Sequence, residues 1–117
     1  MYNIYIYKDS NGNEPIRDYL DSLSKKTDKD SRIKKNKIFD YLETLTQHGT
    51  RAGLPYVKHL VGDIWELRPL RDRILFASVV GKQFVLLHIF VKSTQKTPAR
   101  EIEKAKANLA DYLRRTN

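Results

Sequence analysis

Hydrophobic and polar positions change period twice along the chain. Residues 2–7 alternate, with Tyr2, Ile4 and Ile6 against Asn3, Tyr5 and Tyr7. β-Branched and aromatic types dominate, which predicts a strand. A polar run with Asn11-Gly12 at its centre has turn chemistry. The period then becomes helical. Ile16, Tyr19, Leu20 and Leu23 share one face of a helix that Asn13 can cap, with Pro15 in its first turn, where the missing N–H costs nothing. A second helix, capped by Thr27 or Asp28, is predicted to run to about His48 on the stripe Ile33, Ile38, Tyr41, Leu42 and Leu45. Gly49 is its expected stop. The two helices form a helical hairpin.

From Pro55 the period returns to two. Strands are predicted over residues 56–61, 64–68, 73–80 and 83–92, separated by Gly62-Asp63, by Pro69 and by the two-residue turn Gly81-Lys82. Trp65 and Leu67 take one face of their strand, and Glu66 and Arg68 the other. Trp65 reads as a core residue. The last strand is apolar on both faces between Phe84 and Val91, as expected of an interior strand covered on both sides. Strict alternation places Phe84, Leu86, His88, Phe90 and Lys92 on a single face. Thr97 is expected to cap a terminal helix beginning at Pro98, with Ile102, Ala105, Leu109, Tyr112 and Leu113 as its apolar stripe. Arg114 and Arg115 complement the dipole at its end.

The predicted order is β-α-α-β-β-β-β-α. The later strands form an antiparallel meander, and the hairpin covers one sheet face. This is an α+β fold. At 117 residues, with no repeats and no linker, the chain reads as a single domain spanning residues 1–117.

Charge narrows the range of partners. The chain carries 22 Lys/Arg against 14 Asp/Glu, a net +8. Residues 51–100 hold 9 of those cations and 3 of the acids, so most of the excess is concentrated there. A concentrated basic excess favours a polyanion, nucleic acid before acidic protein. There is no Cys, which excludes disulfides, thiolate metal sites and a Cys nucleophile. The first residues lack the pattern of a signal peptide, and no apolar stretch is long enough to span a bilayer; a soluble, cytoplasmic protein without membrane partners is expected.

The ordered series Lys58-His59-Leu60, Ile64-Trp65-Glu66-Leu67-Arg68, Arg73-Ile74-Leu75-Phe76 and the run Leu87-His88-Ile89-Phe90-Val91-Lys92-Ser93-Thr94-Gln95-Lys96-Thr97-Pro98 is distinctive. It resembles the phage-derived Gp49-like, HigB-type branch of the RelE/ParE toxins. The resemblance covers residues 54–113 well, and the N-terminal half matches in layout only. It implies a RelE/ParE-like fold and the toxin of a type II toxin–antitoxin system. Many such toxins are ribosome-dependent mRNA endonucleases that use no metal or other cofactor, attack coming from the ribose 2′-OH. The implied partners are mRNA, the ribosome and a helix-turn-helix antitoxin (HigA-like), with operator DNA reached only through the antitoxin complex.

RNA cleavage of this kind needs a proton acceptor, a proton donor and positive charge at phosphorus. Arg68 and Arg73 lie on adjacent strands joined by a short turn, and a guanidinium fork grips phosphate. They are assigned to phosphate binding. Lys92 and Lys96 are assigned to proton transfer or charge stabilisation, since cations crowded together lower a lysine pKa. Tyr56, Lys58, His59 and Arg71 are candidate RNA contacts. Arg68 paired with Glu66 or Asp72 in a solvated rim is the plainer alternative. His88, inside an apolar run, reads as a buried, hydrogen-bonded residue, and His48 as a helix terminus. The three histidines lack metal-ligand spacing, so no metal site is expected. Lys34, Lys35 and Lys37 read as the solvated face of the second helix, with contact to ribosomal RNA as the alternative, and Tyr112 as structural. No general base stands out, Asp72 being the acid nearest the arginine pair. Two other functions fit the composition: a toxin of the same fold that binds and inhibits a target such as DNA gyrase, and a basic RNA-binding module without toxicity.

Overall fold

The computed structural model describes residues 1–116. Five strands form one mixed sheet: β1 (Asn3–Ile6), β2 (Val57–Val61), β3 (Ile64–Leu67), β4 (Asp72–Val79) and β5 (Gln83–Val91). Their order is β1-β5-β4-β3-β2. The meander is antiparallel, and β1 closes the sheet by pairing parallel to β5, Asn3 opposite Gln83. Three helices, α1 (Pro15–Lys25), α2 (Lys29–His48) and α3 (Ala99–Thr116), complete the α+β architecture, with a 3-10 turn over Gly49–Ala52. No helix of the described residues is long and apolar enough to cross a membrane.

The sheet has a core on each face. Ile16, Leu20 and Leu23 of α1 and Ile38 and Leu45 of α2 pack on Leu67, Ile74, Phe76, Phe84 and Leu86. On the other side Ala105 of α3 meets Ile64, Leu75, Ala77, Val85 and Leu87. Each fully buried Leu, Ile or Phe contributes about 1.5–3 kcal/mol, so two-sided coverage is the main stabilising term for β4 and β5. Helix α2 starts as expected, the Asp28 side chain accepting from the Ser31 amide at 2.9 Å. Gly49 follows α2 at φ +61°, and a Cβ there would lie 2.7 Å from the Tyr2 ring, so only glycine admits this contact.

Several details differ from the pattern in the sequence. A β-bulge interrupts the β4–β5 ladder: Leu75 pairs with His88 and Phe76 with Leu86, leaving Leu87 as an extra residue. Phe84 and Leu86 therefore face the helical hairpin, whereas His88, paired with the α3-side residue Leu75, faces α3. Strict alternation of 84, 86, 88, 90 and 92 fails at this point. Ile33, expected in the stripe of α2, is 45% exposed. Thr97 does not spend its hydroxyl on a helix cap but donates it to Glu66 Oε2, and the Pro98 carbonyl accepts the Glu101 amide at 3.1 Å as α3 begins. Lys34 does not merely extend into solvent: its Nζ lies 3.4 Å from the fully buried Asp72 carboxylate, which also accepts from the Tyr19 hydroxyl at 3.0 Å. This charge pair ties α2 to the start of β4.

Candidate functional site

The end of the sheet where β3 passes into β4 carries a cationic cleft. Leu67 turns into the hairpin-side core, so its neighbours Glu66 and Arg68 turn toward α3. After Pro69, Leu70 takes φ +56° and reverses the chain. The Asp72 amide donates to the Pro69 carbonyl at 3.1 Å. Arg73 then enters β4, where Nη1 donates to the carbonyls of Leu70 at 2.7 Å and Asp72 at 2.8 Å. Beyond the pair Asp72–Val91, the Lys92 amide donates to the Arg71 carbonyl at 2.8 Å, which fixes Lys92 beside the turn. Arg68, Arg71, Arg73 and Lys92, with Ser93, Thr94 and Gln95, line an open cleft of about 490 Å³.

Beneath these cations lies one carboxylate. Glu66 is 1% exposed, with Oε1 3.4 Å from Arg68 Nε and 3.7 Å from Arg73 Nε. Its other oxygen takes the Thr97 hydroxyl. Neither arginine Nε has a hydrogen bond of good geometry. One negative charge thus sits under two guanidinium groups, with Arg71 and Lys92 beside them, and the cleft keeps a positive excess. Burial pulls Lys92 below the ordinary lysine pKa; Glu66 opposes this, and Arg73, Arg68 and Lys58 add to it. Burial likewise lowers Arg73, against the pull of Glu66 and with the repulsion of Arg68. A recessed cluster of this kind suits a tetrahedral oxyanion such as a phosphodiester.

The structure brings together Arg68, Arg73 and Lys92, with Arg71 at the rim. Lys58 stands opposite Glu66 on β2, near enough for its charge to act on Lys92. Lys96 is exposed in the following loop and does not line the cleft. His59 and Tyr56 lie elsewhere. His59 pairs with Trp65, meeting that ring edge-on at 5.0 Å, and its Nε2 lies 2.8 Å from the Gly62 carbonyl oxygen. Tyr56 packs edge-on against Tyr41 at 4.8 Å and lines a separate hollow with Arg51 and Lys82. Asp72 faces the hairpin side, bound to Lys34 and Tyr19, and is not an acid of this cleft. His88 lies 3.1 Å from Glu101 Oε1 of α3. Among the described residues no group of three or more acidic or histidine side chains is placed to hold a metal ion. Sequence reasoning gave Glu66 the same face as Arg68 and offered it as a partner of Arg68, as the 3.4 Å contact bears out, but it did not place Glu66 under Arg73 as well and missed Thr97 as its partner. The available signal was that Glu66, Arg68 and Arg73 would share one face of adjacent strands, with a single acid among cations.

Fold and cleft together define a small basic α+β protein with a recessed cationic cleft at one end of its sheet. The family model described as phage-derived protein Gp49-like (DUF891) matches residues 18–110, and the chain belongs to that family. Membership is consistent with the toxin of a toxin–antitoxin system. No curated protein shows significant similarity to the chain.

Proposed function

We propose that the protein is a HigB-type toxin of the RelE/ParE superfamily that cleaves mRNA on the ribosome. The observation that carries this reading is the convergence of Arg68, Arg73 and Lys92 on one open cleft over the buried Glu66. In this reading the scissile phosphate enters the cleft and its non-bridging oxygens meet the two guanidinium groups. The adjacent ribose 2′-OH gives up its proton to solvent water and attacks phosphorus, the bond to the 5′-oxygen breaks as that oxygen takes a proton, and the products are a 2′,3′-cyclic phosphate and a 5′-hydroxyl. Negative charge grows on the phosphoryl oxygens in the transition state, where fixed cations stabilise it most. Lys92, held below its ordinary pKa by burial and by neighbouring cations, is the candidate proton donor to the leaving oxygen. Glu66 orients the arginines rather than acting as base, because its carboxylate is enclosed by Arg68, Arg73 and Thr97. Lys96, exposed beside the cleft, is left to contact RNA or ribosome. No cofactor enters the scheme.

The neutralising partner in this proposal is a HigA-like helix-turn-helix antitoxin with an acidic surface to meet the cleft side of the toxin. Growth after induction in a bacterial host tests the whole reading. Arrest by the parent protein, relieved by Arg73→Ala and by Lys92→Ala at equal protein level, is the expected result. Arrest that persists in both variants removes the cleft from the mechanism.

A further inference from the structure

Two hollows adjoin at this end of the sheet and share Arg71. One is the cationic cleft. The other, of about 340 Å³, is bounded by Asp30, Ile33, Lys34, Leu70, Arg71 and Val91. Ile33, Leu70 and Val91 are 45%, 49% and 50% exposed. Single exposed aliphatic residues are ordinary, but three lining one hollow beside a charged cleft form a patch.

Leu70 is the informative member. Among the described residues it is the one non-glycine with positive φ. A leucine pays a steric penalty there that glycine escapes and asparagine largely avoids. The position of its carbonyl explains the backbone, since that oxygen accepts from Arg73 Nη1 at 2.7 Å. It does not explain the side chain, because glycine would present the same carbonyl without strain. Strain retained beside a candidate site points to a use for the group that causes it.

We propose that Ile33, Leu70 and Val91 form a shelf for one nucleobase of the RNA strand whose phosphate occupies the cleft, with Arg71 spanning the two. This rests on the RNA-cleavage reading and adds a base subsite to it. The cleft itself is lined by charged and hydroxyl or amide side chains, so it offers a phosphate a place and a base face none. The shelf offers such a face, and it shares the lining residue Arg71 with the cleft. Lys34 and Asp30 border it and can meet the polar edge of a base.

The test is an amide NMR titration, which reads weak binding, with a 2′-O-methyl RNA tetranucleotide and with the same oligomer carrying one abasic residue. Blocking the 2′-oxygen prevents cleavage, so affinity is read apart from activity. Leu70→Asn keeps a residue that tolerates positive φ, and Val91→Thr keeps the β-branched shape; each removes apolar surface. The intact oligomer is expected to bind each variant roughly fourfold more weakly, the loss of about one buried methyl group. The abasic oligomer is expected to bind parent and variants alike, and Leu70→Asn to melt no lower than the parent. Unchanged affinity for the intact oligomer, with binding lost in Arg73→Ala, overturns the shelf and leaves the cleft standing. Equal losses for both oligomers also overturn it, because the variants then act through the turn that holds Arg73. No effect of Arg73→Ala, or no binding by the parent, removes the phosphate site and the shelf with it.

Discussion

Glu66 decides how the cationic cluster is held. Replacing it with glutamine keeps the size of the side chain and an acceptor for Thr97, but leaves Arg68 and Arg73 without a counter-charge. Breaking a largely buried pair in this way costs roughly 3 kcal/mol, and denaturant unfolding of Glu66→Gln should show it. The same change acts on Lys92. The Glu66 charge favours the protonated amine, so its loss lowers the Lys92 pKa further. If the ammonium is the working form, the alkaline limb of the cleavage profile shifts to lower pH in Glu66→Gln; a shift to higher pH would contradict the assignment. Alternation in β3 made the shared face of Glu66 and Arg68 legible in the sequence. Burial of Glu66 was not, because the loop bearing Thr97 closes over it from a distant part of the chain.

Among the elements, α3 is fastened at its C-terminal end by Asp111. Its carboxylate accepts from Arg115 at 2.8 Å and from the Tyr7 hydroxyl, just beyond β1, at 2.6 Å. Hydrogen bonds from Arg115 and then from Tyr7 hold it down to about 2, against an ordinary value of 3.8. A depressed carboxylate adds stability above its ordinary pKa and loses it as pH falls through the folded-state value. The contribution is therefore expected to disappear between about pH 4 and pH 2. In Asp111→Asn the urea midpoint should fall less steeply across that window than in the parent. Helices and meander were readable from periodicity and turn residues. The bulge at Leu87 was not: β5 is apolar on both faces apart from His88, and one polar residue in such a run does not mark where an extra residue is inserted. Its consequence is that His88 faces α3 and meets Glu101. The role of Lys34 was hidden for a similar reason, since a lysine in a charged stretch of helix looks solvated until a buried acid is placed opposite it.

For the whole molecule, the charge map pointed toward the part of the chain that forms the cleft. Residues 51–100 carry the basic excess, and the cleft cations Arg68, Arg71, Arg73 and Lys92 all come from it. Composition alone did not separate them from Lys96, Lys82 or Arg51, which lie outside the cleft. What gathers the four is long-range pairing, β3 on β4 and β4 on β5, together with the turn at Leu70. The parallel pairing of β1 with β5 was likewise beyond local pattern, because the two strands are joined through the whole of the intervening chain. In the proposed reading this gathered cleft cuts mRNA on the ribosome. Primer extension on a reporter mRNA after brief induction tests it most directly, comparing translated and untranslated messages for the parent, Arg73→Ala and Lys92→Ala. Removing one group that stabilises transition-state charge commonly costs about 10²–10³ in rate. The prediction is cuts at fixed positions in codons of the translated message alone, lost in both variants; intact mRNA alongside growth arrest by the parent would contradict it.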